Sequence, residues 1–342
     1  MEHKMTHRYI GKTGLRVSPI CLGTMTFGTQ ADKKEAFAIM DKAYERGINF
    51  FDTAELYPVP PSGELFGLTE EIVGEWMQTK PRDSIILASK VAGAANGWFV
   101  PPVRHGFTAI DRFHIERAVE GSLKRLKTDY IDLYQMHWPD NSVPIEESMR
   151  AFDSLVQSGK VRYLGTSNDT AYGTTKALMK SEQHGLARFE SIQNNFSLLN
   201  RRFLDELATV CEKEDISLLP YSPLAGGVLS GKYNSGFHPK GRFTDYMNSP
   251  NVRQQAQATR FLNDKTLAST AKYVEIAKEA GMHPVTLATA WSKQFSFVAS
   301  TIIGATSAEQ LDPIFKAMDL TLSNDVLRAC DRVHEEILYP MG

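Results

Sequence analysis

The sequence predicts a single closed (β/α)8 barrel, and three features of its 342 residues support that fold class. Eight short apolar segments alternate with stretches of helical periodicity along the whole chain. Several of these segments are almost continuously apolar, which is typical of parallel strands covered on both faces. The intervening stretches are long enough to carry the helical crossovers that parallel strands require. No linker or low-complexity tract divides the chain, so we expect one domain over residues 1–342.

The spacing of apolar residues places the strands and helices along the chain. The predicted strands cover residues 18–24, 47–53, 84–90, 129–137, 161–167, 189–195, 216–222 and 298–305. The predicted helices cover residues 33–46, 69–80, 112–127, 146–158, 172–184, 203–214 and 266–281.

Local signals support several of these boundaries and add two further elements. Asp111 and Pro144 stand where helices are expected to begin, and Gly47 stands where one is expected to end. Residues 9–18 predict a short β-hairpin before the first barrel strand, and the surplus length predicts an extra C-terminal helix. A doubly wound sheet is the competing fold, but it usually carries a GxGxxG motif after its first strand, and none is present there.

Composition excludes several classes of protein. The hydrophobic share of 42% and the charged share of 23% are those of a globular chain. With 38 basic and 40 acidic residues, the net charge of -2 gives no general attraction to nucleic acid or to an anionic membrane. Neither a signal peptide nor an apolar run of about 18 residues is found. We therefore expect a cytoplasmic protein with no nucleic-acid or membrane partner.

Cysteine and histidine patterns give no metal site. Cys21, Cys211 and Cys330 are an odd number of thiols with no CxxC spacing, which fits a reducing compartment without a disulfide framework. The nine histidines show no HxH or HExxH spacing, so we expect no metal.

Four ionisable side chains fall at or just beyond the ends of three adjacent predicted strands. They are Asp52, Tyr57, Lys90 and His137. Each has an ordinary alternative, such as a helix cap, a loop aromatic, a solvated strand end or a half-buried histidine. Functional groups of a parallel barrel gather at the C-terminal ends of its strands, and this coincidence favours a site.

The chemistry of this set is consistent. A tyrosine has a pKa near 10, and a nearby lysine ammonium is expected to lower it. Asp52 can supply the counter-charge that a buried Lys90 needs. A neutral His137 can hydrogen-bond a substrate oxygen beside Tyr57. The group could protonate a carbonyl oxygen while a hydride arrives from a cofactor.

Motifs along almost the whole chain resemble those of the aldo-keto reductases, and the loop YPVPP followed by GLTEEIVGEW is closest to the bacterial Tas-like subgroup. The motifs are LGTMTFG (22–28), GINFFDTAELY (47–57), ASK (88–90), SLKRLKTDYIDLYQMHWPD (122–140), GKVRYLGTSN (159–168), SIQNNFSLLNR (191–201), PYSPLAGGVLSGKY (220–233) and IIGATSAEQL (302–311).

The resemblance implies a TIM barrel with Asp52, Tyr57, Lys90 and His137 as its catalytic tetrad and NADPH/NADP+ as its cofactor. It places Thr24, Met25 and Asp52 near the nicotinamide and its ribose, and Ser167, Asn168 and Gln193 at the carboxamide. It implies that Tyr221 stacks on the nicotinamide ring and that the pyrophosphate is followed by Ser222, Pro223, Leu224 and Gly226. It also implies that Lys232 and Arg242 bind phosphates, with Arg242 at the 2′-phosphate. The residues that it places at the adenosine are Gly304, Thr306 and Gln310.

This cofactor assignment leaves alternatives open. Without the resemblance, an ordinary turn is the alternative for each of the glycines and serines. The family often has Asn at the adenine, where this chain has Ile314, so strict preference for NADPH over NADH is open.

The substrate pocket and the function also have alternatives. The loops 58–68 and 91–110 could form an aromatic wall, with Trp98, Phe99 and Trp138 beside Tyr57 and His137, or they could be packed surface loops. The leading function is NADPH-dependent reduction of an aldehyde or ketone to an alcohol. The alternative is an NADPH-binding regulatory subunit like the channel β subunits, which share GKY but lack a histidine at position 137. The physiological substrate and the oligomeric state are left open.

Overall fold

The computed structural model describes residues 6–95, 103–235 and 241–341. Two short antiparallel strands, β1 (Arg8–Tyr9) and β2 (Arg16–Val17), form the predicted hairpin. The strands that follow them are β3 (Ile20–Gly23), β4 (Phe50–Asp52), β5 (Ile86–Val91), β6 (Ile131–Met136), β7 (Val161–Ser167), β8 (Phe189–Gln193), β9 (Ser217–Leu218) and β10 (Thr301–Ile303).

These eight strands form one parallel sheet that curls into a barrel. Their order is β10-β3-β4-β5-β6-β7-β8-β9, so each strand from β3 to β8 pairs with the next strand along the chain. Parallel bridges from Leu218 to Val298 and from Tyr221 to Ile302 join the two edges of the sheet. The predicted α/β fold of the TIM-barrel type and its N-terminal hairpin are confirmed.

Helices occupy the connections between the strands. The twelve α-helices of the described ranges are α1 (Lys33–Glu45), α2 (Leu68–Met77), α3 (Arg112–Leu126), α4 (Ile145–Gln157), α5 (Ala171–His184), α6 (Leu207–Glu214), α7 (Arg242–Met247), α8 (Val252–Phe261), α9 (Asp264–Glu279), α10 (Pro284–Lys293), α11 (Asp312–Phe315) and α12 (Asn324–Glu336).

The helix boundaries agree with the chemistry of their ends. Asp111 caps α3 by accepting from the His114 amide at 2.9 Å, and Pro144 directly precedes α4. Gly47 follows α1 with a φ of 92°, a conformation that glycine adopts readily. The predicted helix 203–214 begins late, at Leu207, after a 3₁₀ turn over Arg202–Leu204. The expected C-terminal helix is α12.

The inside of the barrel is divided into an apolar half and a polar half. Phe50, Ala88 and Leu133 belong to one apolar cluster with residues of the hairpin, and they lie in the N-terminal halves of β4, β5 and β6. Two residues further along β4, β5 and β6, on the same inward face, the side chains become polar. The hairpin therefore lies at one end of the barrel, and the polar groups lie at the other.

Three further observations concern membranes, metals and thiols. In the described ranges, no helix is both long and apolar enough to cross a bilayer. The same ranges contain no group of three or more His, Cys, Asp or Glu side chains placed to hold a metal. Cys21, Cys211 and Cys330 are buried and free.

Candidate active site

A buried ion pair forms the base of the candidate site. Asp52 ends β4 and Lys90 lies near the end of β5, and the Lys90 Nζ is 2.5 Å from the Asp52 Oδ1. Their side chains are 3% and 0% exposed. Burial lowers the Lys90 pKa, but the Asp52 carboxylate and Tyr57 outweigh it, and the net pKa of Lys90 is raised. Lys90 is therefore an ammonium, and it also donates to the Thr53 carbonyl at 2.8 Å.

Tyr57 reaches this pair from the loop that follows β4. Its hydroxyl accepts from the Lys90 Nζ at 3.4 Å, and the side chain is buried. Burial raises the pKa of Tyr57, while Lys90 acts in the opposite direction. The effect of Lys90 has the expected sign, but the expectation of a net lowered pKa is wrong because the loss of solvation is larger.

His137 completes the group directly after β6. Its ring lies at 82° to that of Tyr57, with 5.6 Å between the ring centroids. Burial, and to a lesser extent Lys90, holds the pKa of His137 well below its usual range. The Nδ1 atom is buried and has no hydrogen-bond partner among the described residues. The imidazole is therefore neutral at pH 7, with one N–H available to donate.

Two glutamines hold the second oxygen of Asp52. Gln135 and Gln193 donate to the Asp52 Oδ2 at 3.0 and 2.9 Å. The Gln193 amide also donates to the Gln135 Oε1 at 3.1 Å. Gln193 was expected at the nicotinamide carboxamide, and both of these hydrogen bonds use its amide nitrogen. Gln135 was not predicted, although an amide on the inward face of an apolar strand is a usable signal.

The residues expected near the nicotinamide lie around the same rim. Thr24 is buried, and its hydroxyl donates to the Asp52 carbonyl at 3.0 Å. The Ser167 hydroxyl donates to the Gln193 carbonyl at 2.7 Å. Met25 packs against the apolar cluster that includes Tyr57.

Asn168 links two sides of this rim. Its amide donates to the His137 carbonyl at 2.9 Å, and its Oδ1 accepts from the Tyr221 hydroxyl at 2.7 Å. Asn168 has a φ of 54°, in the left-handed region that asparagine tolerates better than most residues. Burial raises the pKa of Tyr221 to about 12, so this hydroxyl is protonated.

The loop expected at the pyrophosphate turns sharply. Ser222 and Gly226 have φ values of 55° and 64°. A Cβ on Gly226 would lie 2.4 Å from the Phe243 ring, so this position has no room for a side chain. Pro223 and Leu224 lie between these two residues in the sequence, with Pro223 buried and Leu224 half-buried.

Lys232 and Arg242 form a pair of cations beside this loop. Burial lowers both pKa values, and the Arg242 charge lowers that of Lys232 further. Neither forms an ion pair with a carboxylate of the described residues, and the Arg242 Nε is buried without a partner. Two poorly solvated cations of this kind fit a phosphate, which the Arg242 fork could contact through two hydrogen bonds.

Two of the three residues expected at the adenosine contact each other. The Thr306 amide donates to the Gln310 Oε1 at 3.0 Å, and the Gln310 amide donates to the Thr306 hydroxyl at 3.1 Å. Gly304 is exposed and has nothing within 4 Å of a built Cβ. Ile314 is 1% exposed and belongs to the main core.

Part of the expected substrate pocket is described. The Trp138 indole donates to the Ala94 carbonyl at 3.0 Å, and its ring is 5.0 Å from that of His137. Val59 and Phe66 of the first expected loop pack on the cluster that contains Tyr57. Trp98 and Phe99 lie outside the described residues.

The fold is thus a parallel α/β barrel, and the site groups a tyrosine, a lysine, an aspartate and a histidine at one of its rims. The model of the aldo/keto reductase family matches residues 19–335, and the chain belongs to that family. It is 40% identical to Protein tas of Escherichia coli over 98% of this chain and 99% of that protein, which confirms the Tas-like subgroup. It is 36% identical to the uncharacterized oxidoreductase YrpG of Bacillus subtilis, over 95% and 94% of the two chains. A probable voltage-gated potassium channel subunit beta of Arabidopsis thaliana is 34% identical, over 92% of each chain.

Proposed function

We propose that the protein is an NADPH-dependent reductase that converts aldehydes or ketones to alcohols. The observation that carries the proposal is the group of Tyr57, Lys90 and neutral His137 at one rim of the barrel. It provides a proton donor, a buried cation beside that donor and a neutral N–H that can hold a carbonyl oxygen.

The cationic pair supports NADPH as the cofactor. Arg242 and Lys232 lack a carboxylate partner among the described residues, and a phosphate would offset the repulsion between them. When bound, NADPH would supply a hydride to the carbonyl carbon.

The residues of the chain then handle the oxygen. His137 donates its N–H to the carbonyl oxygen and orients it towards Tyr57. As a C–H bond forms at the carbon, negative charge develops on the oxygen, and the Tyr57 O–H proton passes to it. The phenolate left on Tyr57 is stabilised by the Lys90 ammonium at its side. Asp52 keeps that ammonium charged throughout.

The first experiment is a screen of NADPH consumption with aldehydes, ketones and quinones, with NADH as the cofactor control. We expect turnover with at least one carbonyl class. Tyr57→Phe removes the hydroxyl that donates the proton, together with its contact to Lys90, so it should abolish turnover and leave NADPH binding, followed by its fluorescence, nearly intact. Unchanged turnover in Tyr57→Phe would contradict this mechanism.

The similarity to plant channel β subunits favours one alternative, an NADPH-binding regulatory subunit with slow turnover. His137 argues for the enzyme, because a subunit that only binds NADPH needs no group to hold a carbonyl oxygen. Stopped-flow mixing of the NADPH complex with the aldehyde panel separates the two, since a binding subunit would show no substrate-driven oxidation.

We also infer the partners and the location of the protein. The near-neutral charge supports a small-molecule carbonyl substrate over a nucleic acid. The three buried free thiols support a reducing, cytoplasmic environment.

A further inference from the structure

Two buried side chains outside the proposed chemistry hold the same backbone residue. Glu55 lies two residues before Tyr57, and its Oε1 accepts from the Ala92 amide at 2.8 Å. His114 on α3 hydrogen-bonds the Ala92 carbonyl through its Nε2 at 2.9 Å. Both side chains are buried, with 1% and 0% of their surface exposed. Ala92 is therefore fixed through its N–H and through its C=O.

These contacts join the two segments that carry the proton donor and its cation. Tyr57 lies on the loop after β4, whereas Lys90 lies near the end of β5, two residues before Ala92. The Glu55 amide also donates to the Lys90 carbonyl at 3.3 Å. Glu55 thus contacts the end of β5 through its backbone and through its carboxylate. The distance of 3.4 Å between the Tyr57 hydroxyl and the Lys90 Nζ depends on how these segments are held.

Several charged or titratable side chains lie close enough to the buried Glu55 to act on its carboxylate. Glu70 on α2, Arg117 and Arg125 on α3, and Tyr134 on β6 act on it electrostatically. Burial raises the pKa of Glu55 to about 7. Its Oε2 is buried with no partner among the described residues. Burying a carboxylate away from water costs free energy, which indicates that Glu55 has a role in the protein.

We propose that Glu55 and His114 are positioning residues, which hold Ala92 and thereby set the distance between Tyr57 and Lys90. The inference rests on the proposed function, because it concerns the placement of the proposed proton donor. Neither residue is expected to touch the substrate or the cofactor.

Paired variants separate hydrogen bonding from packing. Glu55→Ala removes the acceptor, whereas Glu55→Gln keeps an amide oxygen that can accept from Ala92. His114→Leu removes the donor at similar volume, whereas His114→Gln can still donate to the Ala92 carbonyl. Glu71→Gln, at an exposed position of α2, is the matched control.

We expect kcat to fall roughly tenfold in Glu55→Ala and in His114→Leu, because small displacements of reacting groups are costly. The KM for NADPH should stay unchanged, and both glutamine variants should recover most of the kcat. An unchanged kcat in His114→Leu and Glu55→Ala overturns the proposal, and so does an equal loss in the alanine and glutamine variants. Should Glu55→Ala fail to fold, His114→Leu and its glutamine partner give the same comparison.

Hydrogen exchange separates this inference from the proposed function. Exchange of the amides of residues 91–95 is measured on the free protein, without substrate. We expect it to be at least tenfold faster in Glu55→Ala and His114→Leu than in the wild type and in Glu71→Gln. Unchanged exchange overturns the positioning role even if the wild type reduces carbonyls. Faster exchange in a protein that reduces none overturns the proposed function and leaves the contact with Ala92 established.

Discussion

At the scale of single residues, the site depends on how burial changes ionisation. Lys90 keeps its charge in a fully buried position because Asp52 lies against it. Asp52 in turn accepts from two glutamines, so neither of its oxygens is left without a donor. The ionic pair could be predicted from strand-end positions in the sequence. The role of Gln135 could not be predicted in this way, because its amide does not ionise and strand-end charges were the signal for the site.

The pKa of Tyr57 shows a second limit of sequence analysis at this scale. The neighbouring cation could be predicted from the order of the strands. The depth of burial could not, because it depends on side chains that arrive from distant parts of the chain. Burial is the larger effect and reverses the net direction. For His137 the expectation and the structure agree: the imidazole was expected to be neutral, and burial and Lys90 both lower its pKa.

Glu55 should make the stability of the protein depend on pH. Its pKa is about 7 in the folded chain and near 4.5 when exposed, so the folded state holds the proton more tightly. The contribution of Glu55 to the free energy of unfolding therefore falls as pH rises from about 4.5 to 7 and then stays constant. Glu55→Gln lacks this change. We expect its free energy of unfolding, relative to the wild type, to rise by about 2.5 kcal/mol between pH 5 and pH 8.

Urea unfolding at a series of pH values measures this difference. Glu71→Gln serves as the control and should run parallel to the wild type, because the Glu71 side chain is exposed. A difference between Glu55→Gln and the wild type that is the same at all pH values would exclude a raised pKa at Glu55.

At the scale of elements, periodicity predicted amphipathic helices and missed others. Every residue of α10 from Val285 to Lys293 is buried, so the segment has no solvent-exposed face, and its polar positions are mostly threonine and serine, which contrast weakly with an apolar face. In α8, by contrast, only Ala258 and Phe261 are buried, so the segment offers little apolar surface to detect in the sequence. Strand β9 is shorter than expected, because Pro220 lacks the N–H that would continue its ladder.

The turn at Gly226 gives a prediction for the loop expected at the pyrophosphate. Gly226→Ala places a methyl group 2.4 Å from Phe243, at a φ of 64°. We expect it to weaken NADPH binding at least tenfold, because the loop must move. Gly185→Ala is a matched control, since Gly185 has a φ of 62° and nothing within 4 Å of its Cβ.

Fluorescence titration with NADPH measures both glycine variants. Gly185→Ala carries the same backbone strain, of about 1 kcal/mol, and should bind the cofactor normally. Equal dissociation constants for the two variants would mean that the turn at Gly226 has no part in cofactor binding.

At the scale of the whole molecule, one residue ties the hairpin to the last part of the barrel. The Arg8 guanidinium donates to the carbonyls of Lys293 and Val298, both at 2.6 Å, and to that of Phe295 at 3.3 Å. These contacts lie more than 280 residues apart in the sequence, which supports a single cooperative domain. They could not be predicted from the hairpin sequence alone.

Arg8→Ala should therefore weaken the whole fold and leave the candidate site intact. We expect the free energy of unfolding to fall by about 3 kcal/mol, because the charged donor serves three carbonyls. Unfolding should stay a single transition, and the KM for NADPH should not change, because the hairpin lies at the other end of the barrel. Arg16→Ala, at an exposed position of the same hairpin, should change stability by less than about 0.5 kcal/mol.

Differential scanning calorimetry measures the loss of stability and the number of transitions, and fluorescence titration with NADPH measures the cofactor affinity. Two separate transitions in the wild type would contradict a single domain. A loss of NADPH affinity in Arg8→Ala would show that the two ends of the barrel are coupled.

The two-residue step from Phe50 to Asp52, repeated on β5 and β6, has a consequence for the history of the gene. Side chains alternate between the two faces of a strand, so one codon added within these strands would move the side chains beyond it from the inside of the barrel to the outside, and both the apolar and the polar layer would be disrupted. Codons added in the loop after Pro58 would reach neither layer. Changes in chain length should therefore accumulate at the mouth of the barrel, where they leave the interior unchanged.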